Sequence, residues 1–514
     1  MTRLALLSAS DKTGIVDLAK VLVSDFDFDI ISSGGTARTL TEAGIPVTKV
    51  SDYTGFPEIL GGRVKTLQPR IHGGILARTD NLDDQKDLAD NDIRPIDLVV
   101  VNLYPFEQTV ANPDTILSEA IEKIDIGGPT MLRSAAKNHA YLTVLCDPTQ
   151  YEGYLNELRA NNGQPSLEFR ASCARQVFWH TATYDQAIAT YLTEQAEGAT
   201  SERFALSGSQ KQTLRYGENP HQPAVWYQTG GRPSGWAAAA QLQGKDLSYN
   251  NLVDLEAARR IIAEFPTENG PAAAVLKHTN PCGVAIGESM ASTYKRAFEA
   301  DNVSAFGGIV ALNQEIDGDT AEALTQTFLE CVVAPGCAPA AREILGKKKN
   351  LRVLVLPDLL SGPSQTIRAI AGGFLTQTAD DFKEDVAQWK LVTERQPNAA
   401  ELTEMLFAWR VAKHVKSNAI VVTNAGTTVG IGAGQMNRVG AAKIALEQAA
   451  EKALGATLAS DGFFPFDDSV RTAAAAGIKA IVQPGGSIRD QESIQAADEL
   501  GVIMAFTGTR HFLH

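Results

Sequence analysis

"IISSGGTA", residues 30–37, closes an apolar run with Ser-Ser-Gly-Gly-Thr just before a helical pattern begins. A strand that turns straight into a helix aims backbone N–H groups and hydroxyls beyond the strand end, which resembles a phosphate cradle. A tight turn alone would explain the paired glycines equally well. The same kind of turn recurs at "SASDKTG" (8–14), with Lys12 in it. Around these turns, β-rich runs ("RLALLSAS", "DFDII", "DLVVVNLYPF", "YLTVLCD") alternate with helical patterns ("KTGIVDLAKVLVSD", "SEAIEKI") up to about residue 150. That alternation is the sequence form of a parallel α/β sheet, which binds ligands at the carboxyl ends of its strands.

A chain of 514 residues suits roughly three or four domain-sized units. With 44% hydrophobic and 21% charged residues, the composition is that of a globular protein rather than a disordered or fibrous one. The 60 acidic against 46 basic residues leave a net charge of -14, which argues against a broad nucleic-acid surface but permits a small anionic substrate in a locally positive pocket. Five cysteines, few and odd in number, point to reduced thiols and a cytoplasmic protein. No signal peptide is expected at the start, and no run reaches the roughly 18 apolar residues of a membrane span. Residues 166–196 read as helical, the weakly patterned "EGATSERFALSGSQ" (197–210) places a boundary near residue 200, and the remainder again mixes strands and helices without a fixed-period repeat.

In the first part, "GGRVKTLQPRIHGGILAR" (61–78) packs Arg63, Lys65, Arg70 and His72 between two glycine pairs, a density of cations that favours a functional loop. "VVVNLYPF" (99–106) presents Asn102 and Tyr104 past a buried-looking run, and "IDIGGPTMLRSAAKN" (124–138) sets Asp125 before a Gly-Gly-Pro turn and Lys137 on the following helix. Together these turns offer a phosphate site with two lysines, a tyrosine and an aspartate, suited to proton transfer. There is no Ser-His-Asp order and no metal-spaced histidine pair. Capping or surface ion pairing would account for any one of these residues singly.

In the second part, "VLKHTNPCGVA" (275–285) puts Lys277 and His278 side by side at the end of an apolar run. Neighbours on a strand point to opposite faces, so a shared pocket requires the backbone to leave the strand, and Asn280-Pro281 with Gly283 are expected to provide that break. A zinc-deaminase reading of His278 and Cys282 fails, because Thr279-Asn280 replaces x-Glu and Cys331 and Cys337 are not spaced Cys-x-x-Cys. "LRYGENPHQ" (214–222) is a polar, Gly/Pro-punctuated loop. "SYNNLVDLEAA" (248–258) reads as a helix entrance, where capping alone would explain Asn251 and Asp254, and core packing would explain the phenylalanines of "VSAFGGIVALN" (303–313) and "SDGFFPFDDSV" (460–470).

"SDKTG", "SGGTA", "GGRVKTL", "NLYPF", "IDIGG", "AAKN", "RYGENPHQ", "KHTNPCG", "FGGIVAL", "APG", "SNAIVV", "GIGAGQMNRV", "FFPF" and "TGTRHF" occur in one order across nearly the whole chain. This ordered set resembles the family of bifunctional AICAR transformylase/IMP cyclohydrolases in its bacterial form. The resemblance implies a methylglyoxal-synthase-like, parallel-sheet cyclohydrolase domain over residues 1–200. It implies a transformylase region over 201–514 built from two cytidine-deaminase-like α/β units without zinc. It further implies formyl transfer from 10-formyltetrahydrofolate, a co-substrate, to AICAR, then dehydrative closure to IMP. It implies that no metal is required for catalysis. The implied partners are small molecules and a second copy in a homodimer, with no nucleic acid and no membrane. The competing class is a catalytically inactive nucleotide-binding regulatory protein of the same fold.

Carried over by position, the resemblance assigns Lys277 and His278 to formyl transfer and Asn418 to the formyl oxygen. Arg215, Tyr216, Gly217, Asn219, Asn251 and Arg510 fall to AICAR, and Phe306, Gly307, Arg438, Phe463, Phe466 and Asp468 to the folate side. Lys65, Tyr104, Asp125 and Lys137 match the cyclisation residues. Ser10, Lys12, Ser33, Gly34, Gly35, Thr36, Arg63, Thr66 and Asn102 match the nucleotide-binding set. Gln68, Asn437, Gly462 and Asp467 depart from the family pattern, Asn437 and Asp467 beside presumed folate contacts.

Overall fold

Near-continuous apolar runs make β1 (Arg3–Ala9), β2 (Phe28–Ser32), β4 (Leu98–Asn102) and β5 (Thr143–Leu145), with the short β3 (Thr48–Lys49) at the edge beside β2. The structure, a computed structural model, describes residues 2–112, 114–196, 202–230 and 233–514. The boundary expected near residue 200 lies outside the described residues. By contacts the chain falls into two units that divide between Ser207 and Gly208.

In the first unit all pairings are parallel and the strand order is β3-β2-β1-β4-β5. Both faces are covered, one core holding Leu4, Leu6, Val99 and Val101 and the other Ala5, Leu7, Leu98 and Val100, as period-2 alternation requires of a sheet buried on both sides. The order reverses between β1 and β4, so the crevice beyond their carboxyl ends is where such a sheet takes its ligand. Residues 166–196 are helical as expected, as one helix, Leu167–Glu194.

The second unit opens with a hairpin, β6 (Ser209–Leu214) and β7 (Ala224–Gln228). Six strands follow: β8 (Ala240–Gln243), β9 (Ala272–Lys277), β10 (Asn280–Ile286), β11 (Ile309–Leu312), β12 (Cys331–Ala334) and β13 (Arg352–Val355). After another hairpin, β14 (Gln365–Ile370) and β15 (Gly373–Thr378), come β16 (Lys390–Leu391), β17 (Ile420–Asn424), β18 (Thr427–Gly432), β19 (Thr457–Ser460), β20 (Ala480–Gln483) and β21 (Ile503–Phe506). The two groups of six form one 12-stranded sheet, β16-β21-β20-β19-β17-β18-β10-β9-β11-β12-β13-β8.

Read outward from its centre, each half has the same topology. A hairpin (β10-β9, β18-β17) is followed by an antiparallel neighbour, two parallel strands and an antiparallel edge strand. The sequence shows no fixed-period repeat because the duplication survives in hydrogen-bond topology rather than in residue identity. Helices Tyr249–Ile262 and Ala399–Ala412, one from each copy, share a single core on one face, with Leu255, Ile262, Met405 and Trp409 packed on both half-sheets. On the other face each copy has its own core and its own three helices.

Glycines let those helices approach. A Cβ on Gly283 would overlap the Ala297 carbonyl oxygen, and one on Gly430 the Ala445 carbonyl oxygen, matching contacts in the two copies. Gly430→Ala is therefore expected to lower stability by about 1–3 kcal/mol or more, as overpacking does. Gly373→Ala, with nothing near its Cβ, is expected to stay within about 0.5 kcal/mol. Urea-unfolding midpoints of the two variants check this.

Near the carboxyl end of the second copy, His511 is buried between two carboxylates, its Nδ1 2.7 Å from Asp380 Oδ2 and its Nε2 2.8 Å from Glu384 Oε1. Burial alone would push its pKa down, but these bonds and charges outweigh it and raise the pKa to about 9. The folded pKa thus exceeds the unfolded one, so the clamp's contribution is complete below about pH 6.5 and is lost as pH rises through about 9. The thermal midpoint of wild type is expected to fall from about pH 7 to about pH 10 more steeply than that of His511→Gln.

Candidate functional site

In the first unit the carboxyl ends of β1, β2 and β4 are locked to one another by side chains. Thr36, buried, accepts from the Ala9 N–H at 3.0 Å and donates to the Ala9 carbonyl at 2.9 Å. Asn102 accepts from the Asp11 N–H at 2.8 Å and donates to the Asp11 carbonyl at 2.9 Å. Gly34, with φ +53°, opens the helix Gly34–Glu42, and its N-cap Ser33 spends no side-chain hydrogen bond on capping. The helix start therefore offers N–H groups and a hydroxyl to an anion.

Two ammonium groups reach this turn. Lys12 Nζ lies 3.7 Å from where a Cβ on Gly35 would stand, and Lys65 Nζ 3.6 Å from the corresponding point on Gly34. Lys12 also donates to the Ser10 carbonyl at 3.3 Å, and Lys65 pairs with Glu58 at 3.2 Å. Thr66, buried, sets its hydroxyl 2.9 Å from the Cβ position of Gly127, the first residue of the helix Gly127–Lys137. Asp125 precedes that helix. Its Oδ1 accepts from the Gly128 N–H at 2.8 Å, its own N–H donates to the Tyr184 hydroxyl at 2.8 Å, and burial, outweighing the N–H groups of Gly128 and Gly127, raises its pKa.

The remaining first-unit candidates are placed differently. Tyr104 is half exposed just beyond β4. Arg63 turns to Glu122, Nη2 to Oε1 at 2.5 Å, rather than to the glycine turn. Lys137 closes the helix that Asp125 precedes, about 15 Å along the axis from Gly127 at 1.5 Å per residue. The structure thus gathers Ser10, Lys12, Ser33–Thr36, Lys65 and Asn102, while Arg63 pairs with Glu122 instead.

In the second unit the break at Lys277-His278 is a two-residue turn. Lys277 pairs with Asn280 across the β9–β10 hairpin, and His278 and Thr279 between them have φ of +53° and +63°, the left-handed values of a type I′ connection. The expectation that Asn280-Pro281 and Gly283 make the break is corrected here. Those residues lie within β10, where a register shift between Pro281 and Gly283 accommodates the proline's missing N–H. Non-glycine residues resist left-handed backbone, and the buried side of the turn is anchored by Asp254, whose Oδ1 accepts from the Thr279 N–H at 2.7 Å. Lys277 Nζ donates to the Phe306 carbonyl at 2.9 Å, while His278 stands exposed on the turn. Cys282 is buried, which pushes its thiol up to about 12 and keeps it protonated.

The second copy supplies the facing wall. Asn280 Oδ1 accepts from the Lys416 N–H at 3.2 Å, and the Lys416 carbonyl accepts from Gly434 at 2.7 Å. Asn418 donates from Nδ2 to the Gln435 carbonyl at 2.8 Å, and its Oδ1 accepts from Arg438 Nη2 at 2.8 Å. Asn251 reciprocates the Ser248 N-cap, so the capping reading holds, and also donates to Glu330 Oε2 at 2.9 Å. The Arg215–Asn219 loop joins β6 to β7. Arg215 lies over the Tyr216 ring, Gly217 and Asn219 bond to Gln222, and Asn250 donates to the Glu218 carbonyl. Phe306, beside Gly307, together with Phe463 and Phe466, is substantially exposed. Asp468 begins the helix Asp468–Ala475, and Arg510 stacks on Phe512.

Glu330 and Asp461 are residues around the candidate site that sequence reasoning missed, and Asp254, read only as a capping candidate, instead anchors the turn. Asp254 was visible as a carboxylate one turn past the cap; nothing local distinguishes the other two from ordinary acidic residues. Among the described residues, no group of three or more histidines, cysteines or carboxylates is placed to hold a metal, and no helix is long and apolar enough to cross a membrane.

The profile of the family described as AICARFT/IMPCHase bienzyme matches residues 135–448, more than half of the chain, and that of the MGS-like domain matches residues 14–130. Relatives named bifunctional purine biosynthesis protein PurH, from Nostoc punctiforme, Synechococcus elongatus and Rippkaea orientalis, are 69%, 68% and 67% identical, each match covering 100% of both chains. This chain belongs to the AICARFT/IMPCHase bienzyme family.

Proposed function

We propose that the two reactions are divided between the two units, with cyclisation at the crevice of the parallel sheet and formyl transfer at the His278-Thr279 turn. The enzyme catalyses the last two steps of IMP synthesis. A formyl group passes from 10-formyltetrahydrofolate to the 5-amine of AICAR, and formyl-AICAR then closes to IMP with loss of water. The observation that carries the assignment is the type I′ turn, because it takes His278 out of strand geometry next to Lys277, the last residue of β9, beside a wall bearing Asn418.

The AICAR amine is conjugated with its ring and is a poor nucleophile, so it must lose a proton as it attacks, while the folate nitrogen must gain one on leaving. His278 accepts the first proton, and Lys277 stabilises developing charge or protonates the leaving nitrogen. Asn418 Nδ2 has one hydrogen on Gln435 and a second for the formyl oxygen. AICAR is held by Arg215, Tyr216, Gly217, Asn219, Asn251 and Arg510. Exposed Phe306, Phe463 and Phe466, with Gly307 and Asp468, bound the folate side, since flat heteroaromatic rings favour such faces; Arg438, which the resemblance puts there, is buried with its guanidinium on Asn418 and Asp461.

In the first unit the Gly34-Gly35 turn with Ser10, Lys12, Ser33, Thr36, Thr66 and Asn102 holds the nucleotide, and Arg63, paired with Glu122, joins this set on resemblance alone. Lys65 stabilises the oxyanion as the carboxamide nitrogen attacks the formyl carbon, with Asp125 and Tyr104 handling protons. Lys137 belongs to this set on resemblance alone. The enzyme acts in the cytoplasm as a homodimer; exposed Tyr227, Tyr249 and Val253, beside a cavity of about 500 Å³ that also touches Thr279, support a covered face there.

Lys65→Ala is expected to lower cyclisation by about 100- to 1000-fold, the usual effect of losing one oxyanion donor. Formyl-AICAR then accumulates while formyl transfer runs normally, as chromatography of the products would show. His278→Ala is expected to do the converse, lowering formyl transfer by about 100- to 10,000-fold with cyclisation intact. Turnover of AICAR within a few-fold of wild type in a folded variant would remove His278 from the mechanism.

A further inference from the structure

The two copies of the six-stranded topology serve as controls for each other. In the first, Asn313 follows β11 and donates its N–H to the Ala272 carbonyl at 3.2 Å; in the second, Asp461 follows β19 and donates its N–H to the Ala419 carbonyl at 3.3 Å. The two positions are equivalent, and both side chains are buried, with relative exposures of 1% and 0%. Asn313 ties the backbone around the start of its hairpin, accepting from the Ala272 N–H at 2.7 Å and donating to Phe265 and Gly270. A neutral amide suffices for that.

Asp461 instead carries a charge. Its Oδ1 accepts from Arg438 Nη1, and its Oδ2 accepts from the Ser417 hydroxyl at 2.5 Å. Arg438 is the first residue of its helix; the equivalent helix of the first copy begins with Met290. A buried ion pair is weak evidence for stability, since apolar replacements of similar volume are often neutral or stabilising. One copy does without the pair. The copy that has it uses the other end of the guanidinium, Nη2, to hold Asn418 Oδ1 at 2.8 Å.

We infer that Asp461 is a positioning residue for formyl transfer, fixing Asn418 from two sides through Arg438 and Ser417. With Oδ1 bound to a permanent donor, the Asn418 amide cannot flip, so Nδ2 must face Gln435 and the reacting group. Ser417, the residue before Asn418, is held at the same carboxylate, which fixes the backbone as well as the amide. The inference rests on the reading that Asn418 holds the formyl oxygen.

The test uses the full chain with Arg438→Met and Asp461→Asn combined, which puts the first copy's neutral residue types, those of Met290 and Asn313, at these positions. The thermal midpoint is expected to stay near that of wild type. The kcat of formyl transfer should fall by about 10- to 100-fold, the scale of a small misplacement, with KM for AICAR and for 10-formyltetrahydrofolate within about threefold. Adding Asn418→Ala should cost little more, although Asn418→Ala alone impairs turnover.

Wild-type kcat in the double variant, with Asn418→Ala impaired, overturns the positioning role and leaves the Asn418 reading intact. A raised folate KM at unchanged kcat makes Arg438 a folate ligand and likewise overturns it. Wild-type kcat in Asn418→Ala removes Asn418 from the reaction and the positioning role with it. Should the double variant not fold, Ser417→Ala serves instead. A kcat lowered about 10-fold at unchanged KM supports the role, and an unchanged kcat overturns it.

Discussion

The second unit depends on one seam, the antiparallel pairing of β10 with β18. Ala285 lies opposite Thr427, the Thr428 hydroxyl accepts from the Val284 N–H at 3.0 Å, and the Ile286 N–H reaches the Gly426 carbonyl at 2.9 Å. Because the pairing is antiparallel, the turn that starts β10 lies beside the end of β18 and the residues that lead into β17. This is how Asn280, just past the turn in one copy, meets Lys416, two residues before Asn418, in the other. Neither copy holds both halves of the constellation.

The same pseudo-twofold arrangement creates a second turn, Ala425-Gly426, at the opposite end of the seam. Its anchor repeats the first. Glu404 stands as far into its helix as Asp254 does and accepts from the Gly426 N–H at 2.7 Å, as Asp254 does from Thr279. The chemistry does not repeat. Asn424 and Ala425 occupy the positions of Lys277 and His278, and Arg296 donates to the Ala425 and Ile286 carbonyls, capping the turn. The hairpin anchor is therefore architecture, and the lysine-histidine pair on it is what differs.

Much of this was legible in the chain itself. Continuous apolar runs between helical patterns announced the parallel sheet, and glycine-rich turns marked its ligand end. The break at Lys277-His278 was legible as a break, but not its cause. Proline and glycine nearby drew the reading toward Asn280-Pro281, whereas the turn is made by two residues that ordinarily avoid left-handed backbone and adopt it because Asp254 and the strand register hold them there. Asp461 could not be read at all. Its partners lie 44 and 23 residues away, and its meaning emerges only when the duplicated topology sets it against Asn313.

The core shared by the helices Tyr249–Ile262 and Ala399–Ala412 bears on how the molecule can move. Leu255, Leu276, Val284, Met405 and Trp409 belong to one apolar cluster that spans both copies. Swinging the copies apart would bring such side chains into water at about 1.5–3 kcal/mol each. A jaw that opens and shuts between the copies is thus denied to this protein. Substrates must come and go over a rigid floor, and whatever compliance turnover demands resides in the surface loops and hairpin tips around it.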